Sequence, residues 1–205
     1  MCMEYNADKK EIRLDKKLSK LDELVMKFVN IVEKHADYVI MSGYVSILLG
    51  RSRATEDVDL FIRKMSLEKF SELYTDLEEN NFWCLNAEKA EEIYSFLKDG
   101  LAVRFSIKDR PIPNFEMKFP KRTLDDETFD DMITVKLPNN KIKISSLERQ
   151  IAFKRYFLKA DKDIEDALHI EELFKDKLNY EKINKLKEAI KNISDWYGKR
   201  IYETR

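Results

Sequence analysis

Four prolines punctuate the first 138 residues of this chain, and none follows them. From Ser145 onward the segments SSLERQIAFKRYFL, DKDIEDALHIEELFKD and YEKINKLKEAIKNISDWYGKR carry an unbroken helical period, with apolar residues returning at threes and fours. Before that point, short apolar runs of strand length alternate with amphipathic stretches. A chain built this way is expected to form an α+β domain over residues 1–144, with a mixed sheet flanked by helices. A helical region over 145–205 then packs on it.

Within the first part, residues 14–35 read as one amphipathic helix, because Leu14, Leu18, Leu21, Val25, Phe28 and Val32 share a face. YVIMSG reads as a short buried strand, YVSILLG as a short apolar helix closed by Gly50, and VDLFI as the next strand. Ser66 offers an N-cap for a helix over SLEKFSELYTDLEEN, and FWCL a strand. AEKAEEIYSFLKDG reads as a helix stopped by Gly100. LAVRFSI and NFEMKF read as strands around KDRPIPN, whose two prolines make it a loop. ITVKL and KIKI flank Pro138, Asn139 and Asn140, a hairpin signal because Asn tolerates positive φ.

Composition removes several function classes. With 205 residues, 43% of them hydrophobic, the chain can bury a core without disulfides. Two Cys (Cys2, Cys84) and two His (His35, His169), all far apart, supply neither a zinc site nor a Ser-His or Cys-His nucleophile. A formal net charge of −1 gives no bulk attraction to nucleic acid. Local basic clusters are nevertheless present at Lys118, Lys121 and Arg122, at Lys141 and Lys143, and at Lys154 and Arg155. No apolar run reaches membrane-spanning length and the N-terminus lacks an apolar signal core, so no membrane association and a cytoplasmic location are expected. Trp196 and Tyr197 are expected to pack the last helix.

The chemistry concentrates in MSGYVSILLGRSRATEDVDLFI, residues 41–62. On a strand, Asp57 and Asp59 project to one face, and two like charges held together call for a cation. Paired carboxylates suit Mg²⁺, which takes oxygen ligands and keeps substrate phosphates among them. Two such ions can clamp the attacking and leaving oxygens of a nucleotidyl transfer. Upstream, Ser42 and Gly43 stand where strand gives way to helix, with a hydroxyl and an open backbone for phosphate, and Arg51 and Arg53 add cations suited to phosphate oxygens. Each piece has a bland reading: solvated acids, an ordinary turn, a polar loop. Their ordered combination is what points to a triphosphate.

That combination resembles the first motif of the DNA polymerase β-like nucleotidyltransferases, and in particular their AbiEii-like branch of small prokaryotic proteins. The residues that carry the likeness are Ser42, Gly43, Gly50, Arg53, Thr55, Asp57 and Asp59. The departures are Tyr44 and the Ser-Gly order of the turn. A later stretch, SSLERQIAFKRYFLKADKDIEDALHI, is similar to that branch's helical motif at Glu148, Ile151, Lys154, Lys162, Asp163 and Asp166.

The resemblance implies a nucleotidyltransferase-like mixed sheet and a third carboxylate on a later strand, for which Glu116 in NFEMKF is the candidate metal ligand or base. It implies a catalytic role for Lys154 and places Thr55 and Asp163 at the nucleotide. It further implies transfer of NMP from an NTP to a hydroxyl acceptor with release of pyrophosphate. The acceptor would be a tRNA end, with a protein or a small molecule as open alternatives, in a toxin-like enzyme with an antitoxin partner. The alternative is a nucleotidyltransferase fold that has lost catalysis and serves as a binding or regulatory module.

Overall fold

The computed structural model describes residues 2–203, with side chains over 3–192; Trp196 and Tyr197 lie outside the described side chains. One nine-stranded sheet in the order β1-β2-β8-β9-β3-β4-β7-β6-β5 organises the chain. Its strands are β1 (Cys2–Asn6), β2 (Glu11–Asp15), β3 (Tyr38–Ile40), β4 (Asp57–Ile62), β5 (Phe82–Cys84), β6 (Val103–Ile107), β7 (Arg110–Lys118), β8 (Ile133–Lys136) and β9 (Lys141–Ile144). The sheet is mixed: β4 runs parallel to β7 and β3 parallel to β9, whereas β3–β4, β6–β7 and β8–β9 are antiparallel.

Two expectations are corrected. The first helix, α1 (Lys20–Val32), starts after a strand that contains Leu14, not at Leu14. Ser19 caps it, and the Ser19 and Asp22 side chains and backbones bond reciprocally, which stops the helix from extending backwards. The prolines of KDRPIPN lie inside β7, because its pairing with β4 begins only at Asn114 opposite Asp57. Beyond that point no β4 neighbour asks Pro111 or Pro113 for an N–H.

One face of the sheet is apolar. Phe28 of α1 stacks on Phe115 of β7 with centroids 3.9 Å apart and meets Phe82 of β5 edge-on at 5.1 Å. α3 (Leu67–Glu79) buries Phe70, Leu73 and Leu77 in the same layer, and α4 (Ala90–Lys98) buries Ile93 and Leu97. Val58, Leu60, Phe115 and Met117 point into this layer, so by alternation Asp57, Asp59, Glu116 and Lys118 point to the other face.

That second face meets the C-terminal helices. Ser145 donates its N–H to the carbonyl of Ile40 at 2.9 Å, so β9 hands the chain to α6 (Leu147–Phe153) right beside the end of β3. A π-helical turn over Lys154–Leu158 ends in Lys159 at φ 63°, and α7 (Asp161–Phe174) then lies against α2 (Gly43–Leu48). The main core continues from the strands into Leu147, Ile151, Ala167, Ile170, Phe174 and Ile183, while α8 (Tyr180–Glu203) closes a smaller cluster of Leu124 from α5 (Thr123–Asp126), Ala152, Leu186 and Ile190. No described helix is long and apolar enough to cross a membrane.

Candidate active site

The register of β4 with β7 sets Asp57 opposite Asn114 and Asp59 opposite Glu116, on one face of adjacent parallel strands. Thr55 donates its hydroxyl to the carbonyl of Asp57 at 2.9 Å and lies 3.4 Å from its carboxylate, which fixes the start of the strand. Asp59 is half-buried, and its open side is a cleft of about 330 Å³. Burial pushes its pKa up to about 6, and the charges of Asp57 and Glu116 push the same way; Lys118 and the Ser42 hydroxyl work against them. Asp59 is therefore an acid short of positive charge.

Glu116 is in the opposite condition. Arg104 of β6 donates to it from Nη2 at 2.8 Å and from Nε at 3.1 Å, and the Lys118 ammonium pairs closely with its other oxygen. Burial alone would raise Glu116; the Lys118 and Arg104 hydrogen bonds outweigh it and hold the carboxyl below its usual range. Among the described residues no group of three or more His, Cys, Asp and Glu side chains is arranged to hold a metal ion. The Asp57–Asp59 pair still fits a cation, on the ground of Asp59's uncompensated charge. Glu116 would have to exchange an existing ion pair to join.

The cleft is lined at one wall by Ser42, Asp59 and Lys118 and at the other by Arg149, Lys154 and Phe157. Of the residues singled out from sequence, Ser42, Asp59, Lys118, Lys121, Arg122 and Lys154 line it, while Asp57, Glu116, Gly43, Arg51, Arg53, Thr55 and Asp163 do not. Lys154 is 1% exposed and sits on the π-helical turn, a local widening that helices often carry at functional positions. Its ammonium lies 2.8 Å from Asp166 and 3.7 Å from Asp163 of α7.

Asp166 is the residue whose role the sequence did not disclose. It is fully buried, and besides Lys154 it accepts a hydrogen bond from the Arg53 guanidinium. Arg51 Nε also stands 2.7 Å from its second oxygen, close enough for charge attraction but off the hydrogen-bond direction. Arg51 pairs with Glu165 as well. Both loop arginines are thus drawn onto α7. The Arg53 guanidinium rests on Gly43: a Cβ there would meet Arg53 Nη2 at 3.2 Å and Thr55 Oγ1 at 3.4 Å. Gly43 makes room for Arg53, which differs from the expected opening for phosphate. The i, i+3 spacing of Asp163 and Asp166 was the available signal, since it puts both on one helical face.

Four further residues find structural duties. Tyr44 is wholly buried and donates to Asp22 of α1 at 2.8 Å, so it points away from the cleft. Glu148 accepts from the Asn179 N–H at 3.1 Å and anchors the approach to α8, and Ile151 lies in the core. His169 is half-buried with Nε2 3.2 Å from the Leu49 carbonyl.

No family model matches the chain, and no curated protein matches it. Solved structures do. An antigenic nucleotidyltransferase-like protein from Paracoccidioides brasiliensis superposes with a TM-score of 0.50 at 21% identity, over 84% of this chain and 87% of that one. The antibiotic-resistance factor ANT(2'')-Ia in solution gives a TM-score of 0.57 at 15% identity, over 88% and 96%. The same factor in complex with adenylyl-2''-tobramycin gives 0.51 at 14% identity, over 86% and 99%. At these identities the likeness establishes a nucleotidyltransferase-like fold.

Proposed function

We propose that this chain is a nucleotidyltransferase that moves a nucleoside monophosphate from an NTP to an acceptor hydroxyl and releases pyrophosphate. The observation that carries the reading is Asp59: an acid on a strand of a nucleotidyltransferase-like sheet, facing a cleft, left with a deficit of positive charge. Asp57 and Asp59 would hold Mg²⁺, which when bound supplies charge neutralisation at the triphosphate. Ser42 offers a hydroxyl beside Asp59. Lys154, held by Asp166 on the facing wall, directs positive charge at the phosphates where negative charge builds up during transfer. Arg53 and Thr55 act on the geometry: one braces the Ser42-Gly43 turn, the other the start of β4.

The acceptor end of the cleft carries Lys121 and Arg122 next to Phe153, Phe157 and Leu158. Phe157 and Leu158 are exposed, and among the described residues Lys121 forms no ion pair. Cations beside planar apolar groups favour an anionic, stackable acceptor such as the single-stranded end of a tRNA, and they disfavour a polycation. The AbiEii-like resemblance extends this to a cytoplasmic, toxin-like enzyme restrained by an antitoxin protein.

The test is incubation with labelled NTPs, Mg²⁺ and total tRNA, beside an Asp57→Ala control. Transfer by the wild type and its loss in the variant are expected; equal labelling by both removes the role given to the acid pair. One observation favours the second reading, a binding module without turnover: Glu116 is held by Arg104 and Lys118. Saturable NTP binding with no label transferred to any acceptor would select it.

A further inference from the structure

Lys118 stands beside Glu116 in the acid cluster. On β7 it follows Glu116 by two residues, so both project to the face that carries Asp59. Its ammonium pairs with Glu116, and it lines the cleft together with Asp59. Arg104 holds Glu116 from the far side. A divalent ion brought to Glu116 would have to displace the Lys118 ammonium, which already supplies a positive charge there. The charge count agrees for the chain without nucleotide: Asp57, Asp59 and Glu116 against Lys118 and Arg104 leave a single net negative charge, which one divalent ion more than offsets.

Resting on the nucleotidyl-transfer reading for the identity of the cation site, we infer that Lys118 is a built-in counter-cation, which replaces one divalent ion at Glu116 and leaves a single ion to bind at Asp57 and Asp59. Lys118 is then a positioning and charge-setting residue, and Glu116 serves to hold it. A lysine can do this because its ammonium is a compact point charge on a flexible stem, able to match one ion's location without its coordination geometry.

The experiment is titration of the full chain with Mn²⁺ alone, following free ion by electron paramagnetic resonance and heat by calorimetry. Wild type is compared with Lys118→Met, Lys118→Arg and Asp57→Asn. The expected result is one ion on wild type and on Lys118→Arg. Lys118→Met should take a second ion or bind the first at least about tenfold more tightly, a difference of about 1.4 kcal/mol. Wild-type-like binding by Lys118→Arg shows that charge, and not a disturbed fold, is what Lys118→Met removes. Two ions on wild type overturn the inference, as does Lys118→Met binding like wild type while Asp57→Asn loses the ion. If neither wild type nor Lys118→Met binds Mn²⁺ the inference also falls. Asp57-dependent label transfer then decides whether nucleotidyl transfer falls with it: retained transfer sinks the counter-cation alone, and absent transfer sinks both.

Discussion

Asp59 lines the cleft and Asp166 is buried against Lys154 of its other wall, and the fold treats these two acids in opposite ways. Asp166 has no exposed surface and is met by Lys154, Arg53 and Arg51. Asp59 faces open space, and its nearest charged company includes two more carboxylates. Burying charge is costly in both places. At Asp166 the chain supplies more than enough positive charge from its own side chains, although Oδ1 and the facing Arg51 Nε make no hydrogen bond. At Asp59 compensation is incomplete, as expected where a charge is to be delivered by something that binds. The contrast separates a brace from a binding position more sharply than burial does, because burial alone would rank Asp166 as the more extreme site.

The largest effect should come from breaking the brace. Asp166→Ala leaves Lys154, with 1% exposure, and two arginines without their shared partner. Removing one side of a buried ionic cluster typically costs about 3–5 kcal/mol. The urea midpoint should fall accordingly, and NTP affinity should fall with it as Lys154 loses its anchor. A loss below about 1 kcal/mol would mean the three cations find other partners, and the brace would not exist as described.

The matching change at Asp59 should have the opposite sign. In the folded chain its pKa lies at about 6, above its ordinary value of 3.8. Between those two values the folded state keeps a proton that the unfolded chain has released, so stability falls as pH rises through that window. Above about pH 6 the full penalty applies, of order 1–3 kcal/mol. Asp59→Asn should therefore raise the melting temperature at pH 8, give little gain below about pH 4, and abolish transfer. Mg²⁺ should raise the melting temperature of wild type at pH 8 and leave that of the variant unchanged. A variant less stable than wild type at pH 8 would place Asp59 with Asp166 as a structural acid.

These differences also mark what the sequence could reveal. Asp57 and Asp59 were legible because a strand's period of two puts them on one face whatever the surrounding fold. Glu116 was legible as a candidate, and the Lys118 beside it was visible too, but which of its possible partners Glu116 takes depends on β6 delivering Arg104 across the sheet. Asp166 belonged to a recognisable stretch, yet its arginine partners arrive from a loop more than a hundred residues earlier, and only the packing of α7 on α2 joins them. The β1–β2 hairpin was hidden for a local reason. Ile12 and Leu14 alternate with Glu11, Arg13 and Asp15, but Leu14 also continues the Leu18, Leu21, Val25 series, so strand and helix periods overlap at one residue. The cap at Ser19 and Asp22 decides between them, and a Ser-x-x-Asp signature before an apolar run was the available sign.

The mildest expected effect concerns Tyr44, the residue by which the turn departs from the pattern it resembles. If it worked in the site, its loss would weaken nucleotide binding. Its hydroxyl instead donates to Asp22, which also accepts from Ser19 and pairs with Lys16 at 2.9 Å. Burial would raise the Asp22 carboxyl; the hydrogen bonds of Ser19, Lys16 and Tyr44 prevail and hold it below its usual range. Tyr44→Phe keeps the ring in the core and removes one of several partners, for a loss of about 1 kcal/mol. Because the shifted acid here is one the fold stabilises as an anion, that loss should be present at neutral pH and shrink as acid protonates Asp22. NTP affinity and transfer should stay within about twofold of wild type, a change of about 0.4 kcal/mol. A tenfold drop in NTP affinity with stability intact would put Tyr44 on the cleft side of the brace, and Ser42-Gly43 would then have to be read as a turn held by its ligand.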